Sequence, residues 1–157
     1  MTPSARLQSA IELLDAIIVA RRDKGASADR IASAFFAARR YAGSKDRRAI
    51  RELTWSAIRR FGERPEHARA AFVALADDDS ELAALFDGNG YGAAALKADE
   101  ARAKGGVLPQ WLLLHFSELV DAEEQAALLE RAPLDVRVNA LLAERDAVLA
   151  ELPEAQP

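Results

Sequence analysis

The chain of 157 residues contains no cysteine. That removes a disulfide framework, a zinc–thiolate centre and a cysteine nucleophile from consideration. Glycine and proline are scarce, at 8 and 6 residues, while alanine dominates an apolar share of 50%. Helix is the easiest state in which to order such a chain, because Ala, Leu, Arg and Glu lead the propensity ranking. Long apolar runs are missing too: the most apolar stretch, "LDAIIVA" at 14–20, is far too short to cross a bilayer. Residues 1–9 have neither the apolar segment nor the small-residue cleavage site of a secretory signal. The expectation is a cytoplasmic protein with no membrane association.

Catalytic signatures are equally sparse. There is no Ser-His-Asp pattern, no P-loop and no H-E-x-x-H. The two histidines, His67 and His115, stand on separate segments, neither followed four residues on by a second histidine or a carboxylate. Structural or surface roles suit them better than metal ligation. Asp77, Asp78 and Asp79 lack the glycine and ligand set of a calcium loop and read as a solvated helix end. No catalytic residue and no metal site is expected.

What is present is charge, unevenly placed. The total is −4, with 29% of residues charged, an ordinary composition for a soluble folded chain. Residues 39–64, however, hold nine basic and three acidic side chains, a net +6, whereas residues 65–157 carry −11. That asymmetry is more informative than the total.

Apolar periodicity predicts a run of helices. Leu7, Ile11, Leu14 and Ile18 mark one buried stripe on a helix from about Pro3 to Arg22. Ser27 can cap a second helix through Ile31, Phe35 and Ala38, and Ser44 a third that runs to about Phe61 with Asp46 in its first turn. Further helices are predicted over 65–76, 80–86, 109–119 and 121–132, the last opened by Asp121 with Glu124 three residues on. The ending changes character: in "PLDVRVN" (133–139), Leu134, Val136 and Val138 alternate with Asp135, Arg137 and Asn139, the period of a half-buried strand. A last helix is predicted over 142–152. One strand has nothing to pair with in a helical chain, so the rest of its sheet is expected beyond Pro157.

The stretch "DGNGYG" (87–92) invites a reading as a cofactor loop. Such a loop must follow a buried strand and open a helix that faces the ligand. Here it follows "SELAALF", whose Leu82, Leu85 and Phe86 have helical spacing, so the glycines read as a helix end and turn.

The stronger feature is "YAGSKDRRAIRELTWSAIRRF" (41–61). At about 100° per residue, Ile50, Leu53, Ala57 and Phe61 share one face, while Arg48, Arg51, Trp55 and Arg59 share the other. Guanidinium groups around an exposed indole suit RNA through phosphate pairing and base stacking. The alternative for Trp55 is the core, where large aromatics usually sit. The arginines could also pair with the acidic C-terminal half, but so many neighbouring cations favour an anionic partner. Candidate RNA-binding residues are Arg39, Arg40, Lys45, Arg47, Arg48, Arg51, Trp55, Arg59 and Arg60.

"SKDRRAIRELTWSAIRR" (44–60) resembles a helix of the N-terminal domain of RsmB/Sun-type RNA cytosine-5 methyltransferases, a domain similar to the all-helical RNA-binding antitermination factor NusB. "LPQWLL" (108–113) resembles the Pro-x-Trp segment late in that domain, and "ERAPLDVRVNAL" (130–141) the strand that opens the small α/β subdomain before the catalytic domain. The resemblance implies an all-α, NusB-like bundle of about seven helices over 1–132, then the first strand and helix of a truncated α/β subdomain over 133–157. It implies substrate recognition in an rRNA methyltransferase, non-catalytic in this chain, with structured ribosomal RNA and the enzyme's own methyltransferase domain as partners. The family's catalytic cysteine has no counterpart here, and S-adenosylmethionine is expected only in that further domain, so no cofactor is expected in this chain. A monomer is the default. The alternative is a NusB-like protein-interaction module, docking on the catalytic domain or on an antitermination or ribosomal partner.

Overall fold

A computed structural model describes residues 1–23, 25–106, 108–129 and 134–152. The described residues form eight helices: α1 (Pro3–Arg22), α2 (Ala28–Ala38), α3 (Ser44–Arg60), α4 (Ala68–Ala76), α5 (Ser80–Ala84), α6 (Gln110–Leu113), α7 (Ala122–Ala127) and α8 (Arg145–Glu151). The chain is mostly helical, as its composition predicts. Among the described residues, no helix is long and apolar enough to cross a membrane.

The core is built around α1. Thr2 caps it, accepting from the Ala5 amide at 3.2 Å, and Pro3 opens its first turn, where a missing N–H costs nothing. Its burial is wider than the single stripe predicted: Ala10, Leu13 and Ile17 are buried as well as Leu7, Ile11, Leu14 and Ile18. The reason is that α1 has neighbours on several sides, packing against α2, α3 and α4. Ile50, Thr54 and Ala57 bring α3 onto this core, and the Thr54 hydroxyl is satisfied by the Ile50 carbonyl at 2.8 Å.

Helix α4 starts at Ala68, three residues later than the sequence suggests. Its leading amide finds its acceptor in Asp15 of α1, at 2.8 Å, so a distant carboxylate rather than a local one fixes where the helix begins. Asp77, Asp78 and Asp79, expected as a merely solvated run, are each employed. Asp77 takes a two-pronged ion pair from Arg102, with one N–O distance of 3.0 Å, Asp78 lies 3.6 Å from Arg60, and Asp79 caps α5.

After α5 no helix begins before Gln110 among the described residues. The intervening chain is held by side chains instead. Arg69 of α4 pairs with Glu100 at 2.7 Å and donates to the Ala94 and Ala95 carbonyls, and the Ala103 amide donates to Ala70 at 2.9 Å. At the end of α3, Phe61 and Gly106 form a lone parallel bridge, and the Gly62 amide donates to the Gly106 carbonyl at 2.6 Å.

Beyond this point the predicted helices shorten. The one expected over 109–119 covers Gln110–Leu113, and the one expected from 121 covers Ala122–Ala127, capped by Asp121; its predicted end at 130–132 lies outside the described residues. The predicted strand is not formed: residues 134–139 pair with no other strand, and Pro133 lies outside the described residues. The closing helix, predicted over 142–152, covers Arg145–Glu151. Trp111, in "LPQWLL", is 65% exposed and no part of the core.

Candidate nucleic-acid interface

Helix α3 presents its cations over an aromatic base that belongs largely to α2. Phe35 and Phe36 are buried and meet edge to face, 5.5 Å between centroids. Arg39, the C-cap residue of α2, lays its guanidinium over the Phe35 ring at 3.6 Å. From α3, Arg47 and Arg51 reach the Phe36 ring at 5.9 and 5.2 Å, and Arg51 also lies 5.9 Å from the Trp55 ring. Each such contact contributes about 0.5–2 kcal/mol depending on desolvation. Just as important, it fixes a planar donor fork, so less entropy is lost when that fork meets a phosphate or carboxylate.

Trp55 lies between the two positions that the sequence leaves open. It is half-buried, packed against the core cluster on one side and close to Arg51 on the other.

Around these three half-buried arginines stand exposed cations. Arg48 and Arg59 continue the outer face of α3, and Arg40 and Lys45 flank the turn between α2 and α3. Among the described residues, no carboxylate lies within ion-pair distance of Arg40, Lys45, Arg47, Arg48 or Arg51. Arg59 has only a loose pairing with Glu52, at 3.8 Å. Arg60 stands apart: its partner is Asp78 beside α5, so it is drawn away from the face that Arg48, Arg51 and Arg59 share. Of the nine residues singled out from the sequence, the structure thus brings Arg39, Arg47, Arg51 and Trp55 into one aromatic-backed group with Arg48 and Arg59 alongside.

The negative charges beside this group are already engaged, Glu12 with Arg39 at 2.9 Å and Asp46 with Arg6. Asp46, in the first turn of α3, accepts from Arg6 Nε at 2.8 Å and lies 3.4 Å from the N-terminal ammonium. The Arg6 hydrogen bond, aided by the ammonium, holds its carboxyl below the ordinary value of 3.8. Asp46 Oδ2 also accepts from the Gly43 amide at 3.3 Å, half of a capping box whose other half a glycine cannot return. The cap itself is Gly43 rather than Ser44.

Sequence reasoning missed Phe35 and Phe36 as supports for guanidinium groups. Their spacing says only that they are apolar; that arginines from another helix cover them depends on how α2 and α3 pack. Tyr41 was missed as well, although its place between Arg40 and Lys45 was visible.

The histidines are both exposed: His67 caps α4 by position and lies 3.9 Å from Glu66, and the His115 ring is 6.5 Å from that of Trp111. The "DGNGYG" loop follows α5 and opens no helix, the opposite of the setting a nucleotide loop requires. Compared with models of known protein families, with curated proteins and with solved structures, the chain matches none.

Proposed function

We propose that this chain is an RNA-binding domain, the substrate-recognition part of an RNA (cytosine-5) methyltransferase. In this reading residues 1–132 are a NusB-like helical domain and residues 133–157 open a small α/β subdomain whose sheet is completed elsewhere in the enzyme. The observation that carries the reading is the group formed by Arg39, Arg47 and Arg51 on Phe35, Phe36 and Trp55, flanked by Arg40, Lys45 and Arg48, which have no carboxylate partner among the described residues, and by the loosely paired Arg59. Fixed guanidinium planes bind phosphate oxygens as two-pronged donors, and the half-buried Trp55 ring is the aromatic on which an unstacked base would stack. Methyl transfer is not the business of these residues: the "DGNGYG" loop lacks the setting of an S-adenosylmethionine site, and the donor is proposed to bind in the catalytic domain.

The test is a titration with a structured ribosomal RNA at several salt concentrations, followed by tryptophan fluorescence. Because Trp111 is exposed, it is replaced by Phe so that only Trp55 reports. The expected slope of log K against log salt is about −3 to −5, from about −0.7 to −0.9 per phosphate neutralised. Replacing Arg48, Arg51 and Arg59 together by Ala should flatten that slope by roughly 2. An unchanged slope would remove these residues from the interface. No binding even at low salt would overturn the reading in favour of a protein-interaction module, which the large apolar side chains left exposed at Leu114, Leu119, Leu134 and Leu141 also suit.

A further inference from the structure

A groove of about 1060 Å³ runs between the first turns of α1, the turn after α2 and the "DGNGYG" loop. Its size is that of a small-molecule site, and its walls include Met1, Ala5, Glu12, Tyr41, Asp87 and Tyr91. Both tyrosines are held out into solvent, Tyr41 at 71% and Tyr91 at 93% exposure. Two large rings left uncovered on the walls of one groove are not explained by the core, which is complete without them.

The loop that carries Tyr91 is firmly built. Asp87 Oδ1 accepts from the Ser4 hydroxyl at 2.7 Å and from the Asn89 amide at 2.9 Å, and the Gly92 amide donates to the Asn89 carbonyl at 2.8 Å. The Asn89 amide first and then the Ser4 hydroxyl hold the Asp87 carboxyl below its ordinary value. Gly92 sits so close to Ser4 that a Cβ would fall 2.1 Å from its hydroxyl, which ties the loop to α1. Tyr91 is therefore displayed from a fixed turn.

Charge divides along this surface. Within the groove the charged side chains are the carboxylates Glu12 and Asp87, which repel phosphate and accept from amino groups. The cations lie at its edge. Arg39, stacked on Phe35 in the basic group, donates to Glu12 at 2.9 Å, so one ion pair joins the groove wall to the arginine face. Arg40 precedes Tyr41 in the chain, and Lys45 is next to Asp46, which lies 3.4 Å from the amino group of Met1 on the groove wall.

We propose that this groove receives an unpaired nucleobase of the RNA. The base stacks on Tyr41 or Tyr91 while its exocyclic amino group donates to the carboxylates, and the adjoining phosphates continue onto the Arg39–Lys45 edge. Glu12 and Asp87 accept only and so suit the amino-bearing bases adenine, cytosine and guanine, while Thr2, Gln8, Ser9 and Asn89 on the same walls can also donate. The inference rests on the RNA-binding reading above and adds that the protein selects unpaired nucleotides rather than a plain duplex.

The experiment compares two labelled RNAs of equal length and charge at fixed salt, a hairpin with an unpaired purine-rich loop and a fully paired duplex. The wild-type chain should prefer the hairpin. Tyr91→Ala and Tyr41→Ala should weaken hairpin binding about 5- to 100-fold, the range of one lost base stack, and leave duplex binding and the salt slope unchanged. Tyr91→Phe should retain the preference, because the ring rather than the hydroxyl does the stacking. Both residues are exposed, so a circular dichroism spectrum identical to wild type is expected for each variant. Duplex binding with no preference, or a hairpin affinity indifferent to both alanine variants, overturns the groove and leaves the arginine face standing. A salt slope indifferent to the arginines but a hairpin affinity sensitive to the tyrosines does the reverse. Loss of all RNA binding in the wild type overturns both.

Discussion

Residues 1–106 and residues 108–152 draw on similar amino acids and reach different ends. Every buried residue described lies between Ser4 and Ala93. In the second region Leu114, Leu119, Leu134, Leu141 and Leu142 are each more than four-fifths exposed, and no helix there has a buried residue. The helices differ accordingly. α1 runs 20 residues with neighbours along its length, whereas α6 and α7, in segments equally rich in good helix formers, run 4 and 6. Propensity alone does not sustain a short helix in water; a buried face does.

The largest effect should come from attacking that difference directly. Phe72, on α4, is fully buried. Phe72→Ala is expected to cost about 3–5 kcal/mol, the range for an aromatic deleted from a packed core. Leu114→Ala, at a position 88% exposed, should change stability by less than about 0.5 kcal/mol. Urea denaturation followed by circular dichroism measures both. Similar losses at the two sites would mean that residues 108–152 contribute to a common core.

A smaller effect is expected at the joint. Gly62 donates to Gly106, and a Cβ on it would lie 2.2 Å from the Leu108 carbonyl carbon. Backbone cannot yield as a side-chain tip can, so Gly62→Ala must push Gly106 and Leu108 off the end of α3, at about 1–3 kcal/mol, the range for overpacking. Gln110, whose amide donates to Glu63 at 2.9 Å, would lose its anchor with them. Hydrogen exchange at the Gly62 amide should accelerate about tenfold or more, with the amides of α1 keeping most of their protection. Uniform acceleration would make the joint part of the core rather than its edge.

The sequence was most legible where a single helix explains the pattern. The α1 stripe, the core face of α3 through Ile50 and Ala57, Asp46 in its first turn, and the helix-ending character of the glycine loop all follow from spacing within one segment. What depended on two segments meeting was not legible. The start of α4 rests on Asp15, 53 residues upstream. The arginine group rests on Phe35 and Phe36 lying under side chains of another helix. Tryptophan is usually core material, and no periodicity could show that nothing covers Trp111. The strand over 134–139 has the right alternation but no partner among the described residues, and a strand is defined by its partner.

The smallest effect sharpens the comparison through pH. Three of the carboxylates that fasten residues 1–106 together respond to pH alike: Asp46 joins α3 to Arg6 and the N-terminus, Asp77 joins the end of α4 to Arg102, and Asp87 joins the glycine loop to Ser4. All three are held below the ordinary value of 3.8, Asp46 by Arg6 first, Asp77 by Arg102 first and Asp87 by the Asn89 amide first. A carboxylate whose folded pKa is lowered adds stability that is complete above its unfolded pKa and disappears as pH falls through the folded one. Stability should therefore hold from neutrality to about pH 5 and then decline below about pH 4, as these bonds protonate. Asp46→Asn isolates one of them. The amide can still accept from Arg6 but carries no charge, so the variant should be less stable than wild type at about pH 6 and converge with it at about pH 2. Because Asp46 is within reach of solvent, added salt should narrow the gap at the higher pH. A gap that persists undiminished at low pH would show that Asp46 acts through shape and capping of α3 rather than through its charge.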